Sequence, residues 1–467
     1  MNQAEIIRIQ TAPNQSDQDL DMSDSSQEPN SPMRFTLIQG LGSMDQHQEQ
    51  DHEYISALTF DNDGDSDSIS PEGIQYPSLQ FLTEFQSHDP EFNFQKTFEI
   101  PEKLTCIEWL NHGYKGLNPQ LITSNDKVIK LFQIKTEFLQ DRQHEKDEAI
   151  NEEEMSCAQI LEQQNTLVLP GLSKNKKPDF LDEGIKLKNQ YINGHQFHIH
   201  SVSQSFDSEY LLSADDITIN LWNIEDHTKS YNIINIKPNN IEDLQEIITH
   251  VQFHPTNSQL FAYSSSKGYF NLCDLRQNTD VFSNVKNFIT TDEESHKNEF
   301  SEIINSCTWI SFLDGDQEFQ VISRDYLSVK LWDIRMPGSS PFHQYYVNDY
   351  LKDKLSQLYQ NDCIFDRFDV KISPNGRYIS TGGYNDSFQI IDHEGMQHAT
   401  LKCNNELERF QQNQILRSYS ECGKKMSSDI WANQPIKFNH KIMHTSWHPF
   451  ENRLAIANNS SIFLFSE

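Results

Sequence analysis

The chain has 467 residues, enough for one large repeat domain or two to three ordinary domains. Its 37 lysines and arginines against 69 aspartates and glutamates give a formal net charge of −32. Such a charge argues against binding to duplex nucleic acid or an anionic membrane and favours partners with basic surfaces.

Seven cysteines form no Cys-x-x-Cys pair, which is typical of a reducing compartment and argues against a zinc knuckle. No apolar run approaches the roughly 18 residues of a membrane span, and the start of the chain lacks a signal-peptide core. We therefore expect a soluble protein of the cytoplasm, with the nucleus left open as a second compartment.

Residues 1–50 are rich in Gln, Asp, Ser and Asn and almost empty of periodic apolar residues. Such a composition cannot offset the entropy of ordering, so we predict a disordered polar tail. The folded domain is then expected at 51–467. Two further polar stretches, about 137–180 and 395–435, are predicted to be loop insertions in it.

Between these stretches one unit recurs, in which a small or acidic turn precedes an alternating strand of about six residues. Its copies are SNDKVIKLFQI (124–134), SADDITINLWNI (213–224), SSSKGYFNLCDLR (264–276), SRDYLSVKLWDIRM (323–336), GGYNDSFQIIDH (382–393) and NNSSIFLFSE (458–467). Spacings somewhat above the roughly 40–50 residues of propeller repeats are expected when loops are inserted.

A weaker unit at EYISALTF (53–60) brings the count to seven. The sequence therefore predicts an all-β, seven-bladed WD-repeat β-propeller, because stacking around a ring covers faces that a single blade leaves exposed. The strand at 53–60 is expected to complete the blade of the C-terminal strands. Trp222 and Trp332 are interpreted as packing residues between blades, each with its indole N–H bonded to a polar side chain.

Several segments resemble the 55-kilodalton class of WD-repeat regulatory B subunits of protein phosphatase 2A. The segments that carry this resemblance are SRDYLSVKLWDIRM (323–336), NDYLKDKLSQLYQNDCIFDRFDV (348–370), EFQSHDPEFNF (84–94), YLLSADDITINLWNIE (210–225), INIKPNNIEDLQEIITHVQFHP (234–255), YSSSKGYFNLCDLR (263–276), FSEIINS (300–306) and FNHKIMHTSWHPFENRLAIANN (438–459). They occur in order from about residue 53 to the end.

The resemblance implies a non-catalytic propeller that docks on a HEAT-repeat scaffold subunit beside the catalytic subunit. Such a protein presents substrates phosphorylated on Ser or Thr, and the acidic charge of this chain suits substrates with basic segments. The residues that match the family's substrate-facing groove are Asp216, Leu244, Phe197, His198, Asp362, Phe365, Arg367, Asp126 and Lys127.

Scaffold contact is expected around EFQSHDPEFNF, at Phe85, His88 and Phe92. Residues 61–83 are shorter than the family's equivalent hairpin, which bears on scaffold binding more than on the fold. A member that keeps substrate contact but has lost the scaffold is therefore a further alternative.

Some site residues have competing interpretations. Asp216 precedes Trp222 by six residues, where WD repeats often use an Asp for turn hydrogen bonds, and Asp215 could equally be the groove residue. Leu244 could be a core residue next to a short helix. His198 and His200 share a strand face with spacing that suggests a metal, but no Cys or carboxylate at ligand spacing accompanies them or His195.

Two other function classes compete. An enzyme is disfavoured because the chain has no GxSxG, HExxH, Walker or GxGxxG motif, and no metal or other cofactor is expected. A WD-repeat adaptor of another complex would use the same ring without binding the phosphatase scaffold. A test of scaffold binding separates the two classes.

Overall fold

The computed structural model of the chain describes residues 3–10, 36–42, 58–59, 78–87, 104–110, 119–135, 184–277, 286–289, 300–313, 318–336, 340–394, 397–403, 419–421, 435–458 and 461–467. Within these ranges the regular structure is mostly β-strand, as the alternating sequence pattern predicts.

The first strands of the chain are separated widely in sequence. β1 (Gln3–Gln10) pairs antiparallel with β3 (Ser78–Gln86) in a two-stranded sheet, and β2 (Thr36–Gly42) pairs with the last strand of the chain.

Six larger antiparallel sheets follow, which we number as blades 1 to 6. Blade 1 contains β4 (Leu104–Trp109), β5 (Gln120–Asn125), β6 (Val128–Ile134) and β7 (Ile185–Tyr191); blade 2 contains β8 (Ser201–Gln204), β9 (Tyr210–Ala214), β10 (Thr218–Asn223) and β11 (Ser230–Asn235); blade 3 contains β12 (Ile248–Phe253), β13 (Leu260–Ser265), β14 (Tyr269–Asp274) and β15 (Lys286–Ile289).

The later blades repeat this order. Blade 4 contains β16 (Trp309–Phe312), β17 (Gln320–Arg324), β18 (Ser328–Asp333) and β19 (His343–Tyr346); blade 5 contains β20 (Val370–Ile372), β21 (Tyr378–Gly382), β22 (Ser387–Asp392), β23 (Gln397–Lys402) and β24 (Tyr419–Glu421); blade 6 contains β25 (His444–Trp447), β26 (Arg453–Asn458), β27 (Ser461–Ser466) and β2.

Short helices lie in the loops between blades. They are α1 (Ser301–Asn305), α2 (Leu355–Gln360) and the 3₁₀ helices η1 (Ile241–Asp243), η2 (Asp349–Lys354) and η3 (Cys363–Phe365). η2 is followed directly by α2, so residues 349–360 form one helical stretch.

Apolar clusters join consecutive blades. The buried side chains of each blade interdigitate with those of the next, from blades 1 and 2 through to blades 5 and 6. Full burial of one such aliphatic or aromatic side chain contributes roughly 1.5–3 kcal/mol, so the packing between blades is the main source of stability for the ring.

The tryptophans have the packing role that the sequence predicts. The indole N–H of Trp222 donates to Ser213 Oγ at 2.8 Å, and that of Trp332 donates to Ser323 Oγ at 2.7 Å. Both side chains are buried, and Trp332 packs edge-on against Phe270 of blade 3. The Trp-Asp signature of this strand is therefore structural.

The predicted number of blades is wrong. In the described residues the ring has six blades, and the strands before blade 1 form the two-stranded β1–β3 sheet and the outer strand of blade 6, β2. A blade needs alternating apolar runs for four strands, whereas DNDGDSDSISPEG (61–73) is polar and rich in turn residues.

The closing strand also differs from the prediction. β2, at 36–42, pairs with β27 and completes blade 6, whereas residues 58–59 of EYISALTF have no regular structure. β1 and β2 both lie inside residues 1–50, the segment for which a disordered polar tail is predicted. Pairing with distant strands supplies the hydrogen bonds that local composition does not indicate.

The predicted insertion at 137–180 lies outside the described residues. The one predicted at 395–435 is partly regular structure, because β23 and β24 extend blade 5 there.

The antiparallel order of each blade gives the ring two distinct ends. The first strand begins at the same end as the turn between the second and third strands, because neighbouring strands run in opposite directions. We call this end the top face and the opposite end the bottom face. Loops that connect one blade to the next also lie on the top face.

Candidate functional site

Every described residue of the predicted groove lies on the top face. Turns between second and third strands and loops between blades supply all of them, from blades far apart in sequence. The turn residues are Asp126 and Lys127 in blade 1 and Asp216 in blade 2; the loop residues are Phe197 and His198 before β8, Leu244 before β12, and Asp362, Phe365 and Arg367 before β20.

Asp215 and Asp216 have different roles. The carboxylate of Asp215 is fully buried, accepts from the backbone N–H of Ile217 at 2.8 Å and lies 3.0 Å from His195 Nδ1. Burial opposes ionisation, yet these hydrogen bonds lower its pKa to about 2. Asp215 therefore fulfils the turn role, and only the next residue, Asp216, presents its side chain at the surface.

Asp216 pairs with Arg367 across the ring. Arg367 Nη2 lies 3.8 Å from Asp216 Oδ1, and each side chain is 34% exposed. Desolvation raises the pKa of Asp216, and the positive charge of Arg367 opposes that rise. Arg367 belongs to the loop before blade 5 and Asp216 to blade 2, so this contact spans the top of the ring.

Asp126 forms a second side-chain contact on the top face, with His198. The residue is in the left-handed region with a φ of 43°, and its buried Oδ1 lies 2.6 Å from Nδ1 of His198. The backbone oxygen of Asp126 accepts from the N–H of Ile199, which fixes the approach of the β7–β8 loop. Lys127, next in the turn, is half-buried.

The loop before β20 presents an aromatic residue to solvent. Asp362 has a φ of 56° and starts η3, whose last residue, Phe365, is 55% exposed. The ring of Phe365 lies 6.2 Å from that of Tyr359, which is 50% exposed at the end of α2. This pair forms an apolar patch beside Arg367, suited to a partner's apolar side chain.

Side chains below the patch anchor this loop. The hydroxyl of buried Tyr384 lies 2.7 Å from the carbonyl oxygen of Cys363 and 2.8 Å from Asp366 Oδ2. Lys441 Nζ donates to the other oxygen, Oδ1, of Asp366 at 2.6 Å, and Tyr326 donates to the same Cys363 carbonyl at 3.3 Å. Blade 5 and the approach to blade 6 thus hold the segment between Asp362 and Arg367.

These anchoring residues were missed in the sequence. Tyr384, Asp366 and Lys441 are separated by up to 75 positions, and no spacing rule joins them. Lys441 falls in one of the segments that carry the family resemblance, but the resemblance alone assigns it no role.

The other two apolar groove residues, Leu244 and Phe197, are half-buried. Leu244 follows η1 directly and lies outside the apolar cluster that joins blades 2 and 3, which favours a surface role over core packing. Its loop ends beside Asp216, whose carbonyl oxygen accepts from the N–H of Ile248 at 2.9 Å. Phe197 lies next to the exposed His198.

Of the three predicted scaffold-contact residues, the structure describes Phe85 alone. Phe85 is fully buried in the apolar cluster of blade 1, with its ring 4.9 Å from that of Phe132. Its side chain belongs to the core, which corrects the assignment to a subunit contact. His88 and Phe92 lie outside the described residues.

One arrangement has the connectivity of a nucleophilic triad. Ser213 Oγ lies 2.6 Å from His195 Nε2, and Asp215 lies on the other side of the same imidazole. All three side chains are buried, and Ser213 already accepts from the indole N–H of Trp222. The chain of hydrogen bonds stabilises blade 2 and leaves no approach for a substrate.

The three histidines considered for a metal have separate environments. His195 is bonded within blade 2, His198 lies against Asp126, and burial lowers the pKa of His200 to about 3. Among the described residues no three His, Cys, Asp or Glu side chains form a metal-binding group. None of the described helices is long and apolar enough to cross a bilayer.

Comparison with known proteins identifies the repeat and the relatives. The family model "WD domain, G-beta repeat" matches residues 186–223, which include the last strand of blade 1 and three strands of blade 2. The structure is similar to Raptor from Chaetomium thermophilum, with a TM-score of 0.52 at 12% identity, over 92% of this chain and 29% of that chain. This similarity concerns the fold alone.

Curated relatives cover most of the chain. The 55 kDa regulatory subunit of protein phosphatase PP2A from Drosophila melanogaster is 36% identical over 416 residues, which are 88% of this chain and 79% of the relative. The B gamma isoform of the 55 kDa regulatory subunit of serine/threonine-protein phosphatase 2A from Homo sapiens is 38% identical over 389 residues, 82% of each chain. The B beta isoform from Carassius auratus is 36% identical over 385 residues.

The fold and the top-face surface define the class of the protein, a WD-repeat propeller with charged and aromatic residues exposed on one end. Within that class, the chain belongs to the family of 55 kDa regulatory B subunits of protein phosphatase 2A.

Proposed function

We propose that this chain assembles with a HEAT-repeat scaffold subunit and a catalytic subunit of protein phosphatase 2A and recruits phosphoserine and phosphothreonine substrates through its top face. The observation that carries the proposal is the convergence of Asp126, Asp216, Phe365 and Arg367, which three separate segments bring to one end of the ring. The curated relatives are named as regulatory subunits of this phosphatase.

The proposed role is binding without catalysis. Asp126 lies against His198 and Asp216 against Arg367, and the one Ser–His–Asp arrangement described above is buried. Because the net charge of the chain is −32, its field attracts segments with lysines and arginines, and electrostatic steering speeds their association. Phe365 and Leu244 would take the apolar side chains of such a segment. We place this activity in the cytoplasm.

Size-exclusion chromatography of the full chain with purified scaffold and catalytic subunits tests assembly. A ternary peak is expected, and dephosphorylation of a basic phosphopeptide by that complex should fall several-fold with Asp216→Lys. A reversed charge at this position repels the basic segment. The matched control is Asp226→Lys, an equal change of charge on the exposed β10–β11 loop of the bottom face, and it should leave the rate unchanged.

Two results would contradict the proposal in different ways. A folded chain that never enters a ternary peak would favour a WD-repeat adaptor of another complex. A ternary complex in which both variants dephosphorylate the peptide as fast as the wild type would place substrate recruitment elsewhere on the chain.

A further inference from the structure

Arg367 places a positive charge on a surface that is proposed to bind basic segments, and such binding does not require it. It places a positive charge 3.8 Å from Asp216, the carboxylate that would bind the basic residue of a substrate. The loop that carries it comes from the opposite side of the ring and is held from below by Tyr384 and Lys441 through Asp366. The guanidinium is therefore held near Asp216 by the fold.

The surroundings of Arg367 offer little other negative charge. Its pKa is lowered by desolvation, and Asp216 is the group that opposes this. The nearby His200 and His250 are buried and neutral, since burial lowers the pKa of His200 to about 3 and that of His250 well below its usual value. If a basic residue of a bound segment paired with Asp216 instead, the half-buried guanidinium of Arg367 would lose the carboxylate that balances its charge.

A purely basic segment would therefore gain little binding free energy from a contact with Asp216. Its lysine or arginine would form one ion pair with Asp216 and break another, and a partly buried charge deprived of its partner is destabilising. A segment with a carboxylate next to its basic residue would form two pairs in place of one. The basic residue of this segment would face Asp216, and its carboxylate would face Arg367.

We propose that Arg367 determines specificity on the top face, by selecting segments of mixed charge in which a basic residue faces Asp216 and an Asp or Glu faces Arg367. This inference rests on the proposed function, because it assigns a substrate class to the same surface. On a helical segment, residues three or four positions apart lie side by side and fit the short distance between Asp216 and Arg367. An apolar residue of the same segment would lie on Phe365 and Tyr359.

Fluorescence anisotropy with two helical peptides tests the inference on the full chain. Both carry the same lysines and leucine; one has Glu four residues from the central Lys, and the other has Gln there. The wild type should bind the Glu peptide about 10-fold more tightly, as expected for an added charge-assisted pair. Arg367→Gln should abolish this preference and bind the Gln peptide several-fold more tightly than the wild type does.

Further variants separate specificity from stability. Arg367→Lys keeps the charge and should retain part of the preference, whereas a merely structural role of Arg367 would change both affinities equally. Arg276→Gln is the matched control, because Arg276 is an exposed, carboxylate-paired arginine on the bottom face. It should behave as the wild type with both peptides.

The outcomes distinguish this inference from the function on which it rests. Equal wild-type affinity for both peptides, with binding lost in Asp216→Asn, would overturn the role of Arg367 and leave the recruiting surface intact. Failure of the wild type to bind either peptide would overturn both.

Discussion

Removal of one hydroxyl group beneath the loop before β20, which carries Phe365 and Arg367, should weaken peptide binding without any change to the surface residues. In Tyr384→Phe the ring and its edge-on contact with Phe368 remain, but the oxygen that contacts Asp366 and the Cys363 carbonyl is lost. Burial and the charge of Asp366 raise the pKa of Tyr384, so its hydroxyl stays protonated and donates. Lys441 and Tyr326 still hold the loop, more weakly.

The size of the effect follows from the type of bond. A hydrogen bond to a charged group contributes about 1.5–3 kcal/mol, so the free energy of unfolding should fall by about 2 kcal/mol. The same loss of free energy lowers the population of the binding-competent loop conformation by at most about 30-fold. The peptide Kd should therefore rise by about 3-fold to 30-fold. Urea unfolding and fluorescence anisotropy measure the two quantities.

Tyr378→Phe is the matched control, because Tyr378 begins β21, the strand that leads to the turn of Tyr384, at the bottom face and donates to Glu467. It should lower stability by a similar amount and leave the Kd unchanged. An unchanged Kd in Tyr384→Phe, or an equal rise in both variants, would refute the argument that this hydroxyl positions Phe365 and Arg367.

Two more predictions concern the stability of the propeller itself. Trp332→Ala should lower the free energy of unfolding by about 3–5 kcal/mol in urea titrations, because it removes a buried indole and leaves Ser323 without its donor. A loss under 1 kcal/mol would show that the packing of blades 3 and 4 does not depend on this contact. Burial raises the pKa of Glu108 from 4.5 to about 7, partly opposed by Lys371, so the folded state holds this proton more tightly than the unfolded chain. Stability from Glu108 is then lost as pH rises through that interval, and Glu108→Gln should raise the melting temperature at pH 8 but not at pH 5. An equal change at both pH values would contradict this assignment.

The local pattern of the sequence was sufficient for the strands and their packing role. Alternation over six residues identified β6, β10, β14, β18, β22 and β27, because one face of each strand must be apolar to pack against the next blade. The same regularity explains why Trp222 and Trp332 could be assigned to packing before the structure was known. The family resemblance then supplied the candidate groove, residue by residue.

The count of blades could not be obtained in this way. A weak apolar run at 53–60 looked like a seventh unit, but strand formation there depends on partners that the sequence does not specify. β2 lies in a polar segment and still forms a strand, because β27 offers an unpaired edge to it. For the same reason Phe85 was placed on the surface, whereas β3 directs it into the core of blade 1.

The sequence by itself determined an acidic WD-repeat propeller of the phosphatase regulatory family, and it predicted candidate residues for a groove. Only the tertiary structure decided that Asp216, and not Asp215, reaches the surface, and that Arg367 arrives there from across the ring. The physical reason is that alternation and turn chemistry are local properties of the chain. The pairing of charges across a ring depends instead on how many blades close it and on which buried side chains, such as Tyr384, hold each loop.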